Sequence, residues 1–191
     1  MRYRRDHKAE THHKIVKDAS RRVRAQGLTG ASVSAVMRDA GMTHGGFYKH
    51  FGSKEELLIA SLSDAFREIA DRMALAAELA RPGTAWKAIV KTYLSSEHCE
   101  HPEFGCPLAA LAPELARADG ATKAQISGKL MEYKSRMLPF MPGERGADKE
   151  RNFTVIFSTM IGAIAMARML PKQAAREKVL ATARDFLLRS F

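Results

Sequence analysis

The fold is decided by residues 32–58, which read SVSAVMRDAGMTHGGFYKHFGSKEELL. In the first part of this stretch the apolar residues recur at spacings of three and four, which is typical of one buried helix face. They are Val33, Val36, Met37 and Ala40. Ser32 is the predicted N-cap of this helix, and Gly41 supplies the left-handed residue that ends it. We therefore predict a short helix followed by a glycine turn.

A second short helix is predicted directly after this turn. Thr43 is its candidate N-cap, and Phe47 and Phe51 are spaced to lie on one face of the helix. Three residues separate the two helices. This is the spacing of a helix-turn-helix, whose second helix lies in the major groove of duplex DNA.

Two adjacent glycines in the second helix call for an explanation. Gly45 and Gly46 each cost up to about 1 kcal/mol relative to alanine in a helix interior. Without side chains at these positions, the backbone and the flanking His44 can move close to the floor of the groove. The pair therefore favours close approach to DNA.

A long third helix is predicted to start after Phe51. Ser53 is its N-cap, and Glu56 completes a capping box. Lys54 then lies in the first turn, where its charge and the free backbone amides both suit a phosphate.

This whole stretch resembles the DNA-binding domain of the tetracycline-repressor family of bacterial transcription regulators. The resemblance covers about the first third of the chain and rests on a Tyr, then a His-Phe pair, then Ser-Lys-Glu. It implies that the residues facing bases or adjoining sugars are Thr43, His44, Gly45, Gly46 and Lys49. It implies phosphate contacts from Tyr48, His50 and Lys54, and further contacts from Ser32 and Ser34. For His50, a packing role beside an aromatic ring is an equal alternative.

The distribution of charge agrees with a phosphate-binding face near the N-terminus. The net charge is +10, and residues 1–56 hold 12 Lys and Arg against 6 Asp and Glu. The net positive charge per residue is thus several-fold higher there than in the rest of the chain. Residues 1–5 could form a basic arm that reaches the DNA backbone, or a disordered terminus.

The remaining sequence favours helices throughout, with no convincing alternation of period two. We predict an all-α protein of about nine helices. A three-helix DNA-binding domain over residues 1–55 is joined by the long helix to a helical effector-binding and dimerisation domain over residues 56–191. One helix is predicted from Ala85 to about His98. Methionines spread through the second domain favour an adaptable apolar pocket.

The last two predicted helices carry more apolar surface than a small core needs, which favours an interface. The resemblance implies the same, because members of that family pair through their last two helices. The residues assigned to this interface are Phe157, Met160, Ile161, Ile164, Leu180, Phe186 and Leu187.

The segment from His98 to Cys106 has three competing interpretations. His98, Cys99, His101 and Cys106 could bind zinc or copper, although only the two histidines form a tight pair. Cys106 could instead be a thiol sensor, since it lies at a predicted helix start where free amides lower a thiol pKa. Some members of the resembling family respond to electrophiles or oxidants through a cysteine in this region. The third interpretation is a small packing residue.

The sequence therefore predicts a homodimeric repressor that binds a palindromic operator in double-stranded DNA. A small hydrophobic or electrophilic effector, or thiol modification at Cys106, would release it. We predict no enzymatic activity and no cofactor or metal, because no Gly-rich phosphate loop, paired-His helix or nucleophile elbow is present. The alternatives are a metal-responsive repressor and a helical protein with a basic surface that does not bind DNA. No apolar signal segment lies near the N-terminus, which predicts a cytoplasmic protein without membrane association.

Overall fold

The computed structural model describes the backbone of residues 2–191 and the side chains from residue 7 onward. The side chains of the proposed basic arm lie outside the described residues. The described chain has nine α-helices, three short 3₁₀ helices and no strand, which confirms the all-α prediction. The α-helices are α1 (Arg2–Gly30), α2 (Val33–Asp39), α3 (Lys54–Glu78), α4 (Ala85–Tyr93), α5 (Ser96–Glu100), α6 (Pro107–Leu115), α7 (Gly120–Met137), α8 (Gly146–Arg168) and α9 (Gln173–Ser190). The 3₁₀ helices are His44–Lys49, Pro102–Phe104 and Leu138–Phe140.

Helix α2 begins and ends as its sequence predicts. The hydroxyl of Ser32 accepts a hydrogen bond from the backbone N–H of Ala35 at 3.2 Å. Gly41 has a φ of +77°, in the left-handed region where glycine is favoured. The ammonium of Lys14 in α1 donates to the carbonyl oxygen of Ala40 at 2.9 Å, which holds the end of α2 against α1.

The second helix of the motif is a 3₁₀ helix of 6 residues rather than an α-helix. Its short length and its two glycines account for this difference, because both weaken α-helical structure. Thr43 occupies the N-cap position with an extended backbone, but its hydroxyl makes no capping hydrogen bond. Phe47 and Phe51 are both buried, and their rings stack with centroids 5.5 Å apart.

Helix α3 begins with a reciprocal pair of capping bonds. The hydroxyl of Ser53 accepts from the N–H of Glu56 at 3.1 Å, as predicted. The Glu56 carboxylate accepts from the N–H of Gly52 at 2.6 Å, one residue earlier than in a standard capping box. Helix α3 then runs from the N-terminal unit into the rest of the molecule.

The buried side chains form two clusters that share α3 as a common wall. The N-terminal cluster contains Leu57 and Leu62 of α3, and it also includes Leu111 of α6 and Ile126 of α7. The second cluster is built from α3, α4, α7, α8 and α9. The division of the chain at residue 55 stays a prediction, but the N-terminal core extends well beyond that residue.

The predicted helix from Ala85 to His98 is wrong, because the chain forms two helices there. Helix α4 ends at Tyr93, and the hydroxyl of Ser95 accepts from the N–H of His98 at 3.2 Å and so caps α5. This break turns His98 back toward the residues before α6. No helix in the described part of the chain is long and apolar enough to span a bilayer.

Candidate functional site

The 44–49 segment presents one aromatic side chain to the core and the next to solvent. Phe47 is 1% exposed, whereas Tyr48 is 71% exposed. The two rings meet edge to face with centroids 5.2 Å apart, so the exposed phenol is supported by the core. Because the Tyr48 ring is fixed in this way, its exposed hydroxyl is suited to contact a partner.

The glycines of this segment are not required by packing within the chain. A methyl group on Gly45 would meet no atom within 4 Å, and one on Gly46 would make ordinary contacts with Met37 and Thr43. Neither glycine has a positive φ. The free protein would therefore accept alanine at both positions, which leaves close approach of a partner as the physical reason for glycine.

The residues predicted to contact DNA come from three consecutive parts of the chain: the start of α2 with its N-cap, the 44–49 segment with the residue on either side of it, and the first residue of α3. Eight of them are exposed and the remaining two, Gly46 and His50, are half-buried. The exposed ones are Ser32, Ser34, Thr43, His44, Gly45, Tyr48, Lys49 and Lys54. All ten predicted residues are therefore at least partly accessible to a partner.

A basic concavity of about 430 Å³ lies beside the 44–49 segment. Lys8 of α1 lines it together with Lys49 and His50. Burial, and then the positive charges of His12, Lys8 and Lys49, lower the pKa of His50, so its ring is neutral at neutral pH. Its Nδ1 atom is buried without a hydrogen-bond partner. Lys8 was not predicted from the sequence, because about 40 residues separate it from Lys49. Only the excess of positive charge in the N-terminal segment indicated a role for it.

A second feature lies in the turn of residues 102–106, called here the Cys106 turn. The Cys106 side chain is 1% exposed. Burial raises the pKa of its thiol, and the backbone amides of Leu108 and Ala109 only partly offset this effect. The predicted lowering of the Cys106 pKa is therefore wrong, because desolvation outweighs the helix start. Burial also raises the pKa of Cys99.

His98 is held by both nitrogens of its ring. Nε2 accepts a hydrogen bond from the backbone N–H of Cys106 at 2.9 Å, so Nδ1 carries the proton and donates to the carbonyl oxygen of Tyr93 at 2.7 Å. Burial lowers the pKa of His98 to about 4, which keeps the ring neutral. Neither nitrogen is free for a metal.

The metal-site hypothesis for His98, Cys99, His101 and Cys106 is wrong for this arrangement. The described residues contain no group of three or more His, Cys, Asp or Glu side chains placed to hold a metal ion. The four residues are close in sequence, but their side chains make different contacts in the structure.

Cys106 lines a cavity of about 310 Å³ between α6, α7 and α8. Three of its 11 lining residues are aromatic: Phe153 stacks on Phe157 with ring centroids 4.5 Å apart, and Tyr133 meets Phe157 edge to face at 5.5 Å. The Tyr133 hydroxyl is buried without a partner. Among the lining residues Met131 is the single methionine, so the prediction of a methionine-lined pocket is wrong. The other methionines of the described second domain mainly fill its core or lie exposed on its surface.

Most of the predicted dimer residues are buried within the single chain. The buried ones are Phe157, Met160, Ile164, Leu180 and Leu187. Their assignment to a surface is corrected, because α8 and α9 pack these faces into the second core. Ile161 is half-buried and lines the cavity, and Phe186 is 62% exposed.

Another side of α8 is exposed and consists of small or apolar residues. These residues are Val155, Gly162, Ala165 and Met166 of α8 and Met169 directly after it, here together called the outer face of α8. Their spacing of three, four and seven places them on one side of the helix. The apolar pattern of the sequence therefore selected faces of α8 and α9 that are buried within the chain.

Residues 15–61 match the model of a family described as bacterial regulatory proteins, tetR family. This segment of the chain therefore resembles the N-terminal domain of the tetR family. The matched residues include all of α2 and the 44–49 segment, together with the first turns of α3. The family resemblance seen in the sequence is thereby confirmed.

Curated relatives are similar to part of the chain. The HTH-type transcriptional regulators Rv1816 of Mycobacterium tuberculosis and Mb1846 of Mycobacterium bovis are each 35% identical to it over 68 residues. This alignment covers 36% of the chain and 29% of each relative. The chain thus matches less than a third of the length of these relatives.

Solved structures share the fold over nearly the whole chain. A TetR transcriptional regulator from Chloroflexus aurantiacus has a TM-score of 0.77 at 23% identity, covering 99% of this chain and 98% of that one. The reduced form of E. coli NemR has a TM-score of 0.74 at 16% identity, covering 94% and 96%. The C-terminal helices therefore also have the fold of tetR-family proteins.

Proposed function

We propose that this protein is a homodimeric repressor that binds a palindromic operator in double-stranded DNA. The observation that carries the proposal is the exposed phenol of Tyr48, supported by buried Phe47 and placed beside glycines that internal packing does not require. A surface of this kind suits insertion into a major groove. The exposed lysines at either side would contact phosphates.

Within this proposal the 44–49 segment faces the bases, through Thr43, His44, Gly45, Gly46 and Lys49. Tyr48, His50 and Lys54 contact phosphates, and Ser32 and Ser34 add contacts from the start of α2. Since His50 is neutral, it would donate a hydrogen bond rather than supply a charge. Lys8 joins this set because it shares the basic concavity with Lys49.

Replacing Gly45 with alanine is expected to separate stability from DNA binding. The free energy of unfolding should stay the same or rise by up to about 1 kcal/mol, because alanine favours helix and meets no atom within 4 Å. DNA affinity should fall by about tenfold, since the methyl group would lie between the backbone and the groove. Thermal unfolding and fluorescence anisotropy on the same samples test both effects.

Gly128 provides the matched control for this variant. It is an exposed glycine of α7 with no atom within 4 Å of an added methyl group. Gly128→Ala should stabilise the chain similarly and leave DNA affinity unchanged. A Gly45→Ala protein with full DNA affinity would remove the 44–49 segment from the proposed interface.

The dimer proposed here forms through the outer face of α8 together with Phe186 of α9. The exposed small residues allow a second helix to approach closely, and the exposed methionines supply apolar area. Two copies of the 44–49 segment could then enter successive major grooves, which a palindromic operator requires.

The proposed effector binds in the cavity at Cys106 and is small, hydrophobic and either neutral or electrophilic. The three aromatic side chains and the aliphatic residues around them favour an apolar molecule, and the unpartnered hydroxyl of Tyr133 could donate to an acceptor on it. Effector binding or thiol modification would shift the helices around the cavity and alter the separation of the two DNA-binding units. This mechanism needs no reaction of a substrate, no cofactor and no metal, and we place it in the cytoplasm.

Alkylation of Cys106 is expected to release the protein from DNA. Iodoacetamide should reduce operator affinity in the wild type and in Cys99→Ser, but not in Cys106→Ser. Because burial holds the pKa of Cys106 above its ordinary value, the reaction rate should rise continuously with pH from 7 to 9. If iodoacetamide reduced operator affinity equally in Cys106→Ser and the wild type, or in neither protein, release through Cys106 modification would be excluded. A non-covalent effector would then remain as the proposal.

A further inference from the structure

One buried arginine joins the Cys106 turn to the DNA-binding unit. Arg24 lies in α1, and its Nη1 donates to the carbonyl oxygen of Gly105 at 3.0 Å. Its Nη2 donates to the carboxylate of Glu68 in α3 at 2.7 Å, and its Nε to the carbonyl oxygen of Ser20 at 3.1 Å. The Arg24 side chain is fully buried, whereas the Glu68 side chain is 28% exposed. A single rigid guanidinium therefore fixes three elements relative to one another.

The opposite side of the Cys106 turn is equally constrained. A methyl group on Gly105 would lie 2.8 Å from the His98 ring and 2.9 Å from Nη2 of Arg168. Arg168 of α8 donates to the carbonyl oxygens of Cys99 at 3.1 Å and His98 at 2.8 Å. The turn is thus bonded to Arg24 of α1 and to His98 of α5, and the guanidinium of Arg168 in α8 lies against Gly105.

Two further contacts attach α1 to the same region. The backbone N–H of Leu28 donates to the carboxylate of Glu114 in α6 at 2.9 Å, directly after the break in α1 at Gly27. The guanidinium of Arg21 lies 5.1 Å from the centre of the Phe104 ring. Helix α1 is therefore connected to the Cys106 turn and α6 as well as to α3.

We propose that Arg24 is a positioning residue that transmits displacement of the Cys106 turn to α1 and α3. This inference rests on the proposed function. A group added at Cys106 would fill part of the adjoining cavity and shift the turn, and with it the neighbouring Gly105 carbonyl. If the turn moved alone, the buried guanidinium would lose a partner, so α1 moves with it. Helix α1 packs on Phe51 through the N-terminal core, so its shift reaches the 44–49 segment.

The test compares Arg24→Lys with Arg22→Lys, each in a Cys99→Ser background. Lysine keeps the charge near Glu68 but cannot hold three partners in one plane. Arg22 lies on the same helix, but its bonds, to the carbonyl oxygen of Gly30 at 2.8 Å and to Asp39, stay within the N-terminal unit. It therefore serves as the matched control.

DNA affinity is measured before and after alkylation of Cys106 with iodoacetamide, on a duplex selected by the wild-type protein. Before alkylation all proteins should bind alike. Alkylation should weaken binding by about tenfold or more in the background protein and in Arg22→Lys, and by less than about threefold in Arg24→Lys. Glu68→Gln weakens the bond to the Arg24 guanidinium at a partly exposed site, so alkylation should cause an intermediate loss of DNA affinity. This variant replaces Arg24→Lys in the test if Arg24→Lys does not fold.

A second measurement needs no DNA. Alkylation of Cys106 in the free protein should be severalfold faster in Arg24→Lys than in the other two proteins, because the turn is released from α1. If alkylation does not release the background protein from DNA, the proposal of release by thiol modification is wrong. The alkylation rates in the free protein then still test the role of Arg24. Equal DNA release and equal alkylation rates in Arg24→Lys and Arg22→Lys would overturn the inference.

Discussion

Replacing Tyr48 with phenylalanine is expected to weaken operator binding by about 100-fold or more, because a hydrogen bond to a charged phosphate contributes roughly 1.5–3 kcal/mol and the dimer would lose it twice. The ring and its edge-to-face contact with Phe47 are retained, so the fold should not change. Fluorescence anisotropy at fixed salt gives the affinity, and thermal unfolding verifies the fold. Full affinity of Tyr48→Phe would exclude the hydroxyl from the interface.

Lys54→Ala provides a contrast that distinguishes a charged contact from a neutral one. Loss of one ammonium from each protomer should make the slope of log affinity against log salt shallower by about two. Tyr48→Phe should leave this slope unchanged, because its hydroxyl releases no counterion. If the two variants changed the slope equally, their assigned roles would be wrong.

Replacing Gly162 with glutamate is expected to convert the dimer into monomers. Gly162 lies in the middle of the outer face of α8, and a side chain there meets no atom within 4 Å in the single chain. The folded monomer should therefore tolerate the change. In the dimer, two carboxylates would be buried in an apolar interface, which would raise the dissociation constant about a thousandfold or more, equivalent to about 4 kcal/mol.

Sedimentation velocity tests this expectation, and Gly128→Glu is its control. Gly128 is an exposed helical glycine with equal free space, but it lies on α7, away from the outer face. Gly128→Glu should remain dimeric. If Gly162→Glu sediments as a dimer, the outer face of α8 is not the interface. A substitution at Ile164 would not answer the question, because that residue is buried in the core.

The sequence predicted the features that depend on neighbours a few residues away. The Ser32 cap, the Gly41 turn and the opposite exposures of Phe47 and Tyr48 follow from local spacing alone, and the structure has all of them. The interfaces between helices could not be predicted in this way. Periodicity marked the apolar face around Ile164, but it could not show that α9 and the other core helices already cover that face.

The environment of Cys106 could likewise not be predicted from the neighbouring residues alone. Its position at the start of α6 favours a lowered thiol pKa, but burial by residues from distant helices reverses the direction. The hydrogen bond from Arg24 to Gly105 joins residues 81 positions apart, and no local sequence pattern indicates it. Contacts between separate helices therefore decide the surroundings of Cys106, whereas the structure of residues 32–58 is largely set by local sequence.

The most direct test of the central claim is selection of bound sequences from a pool of random duplex DNA by the full chain. The proposed repressor should enrich an inverted repeat whose half-sites are about 10 base pairs apart, centre to centre, or a multiple of that distance. Binding to the selected duplex should exceed binding to a single half-site and should be lost in Tyr48→Phe. Recovery of no common sequence, with equal affinity for selected and random duplexes, would contradict the proposal.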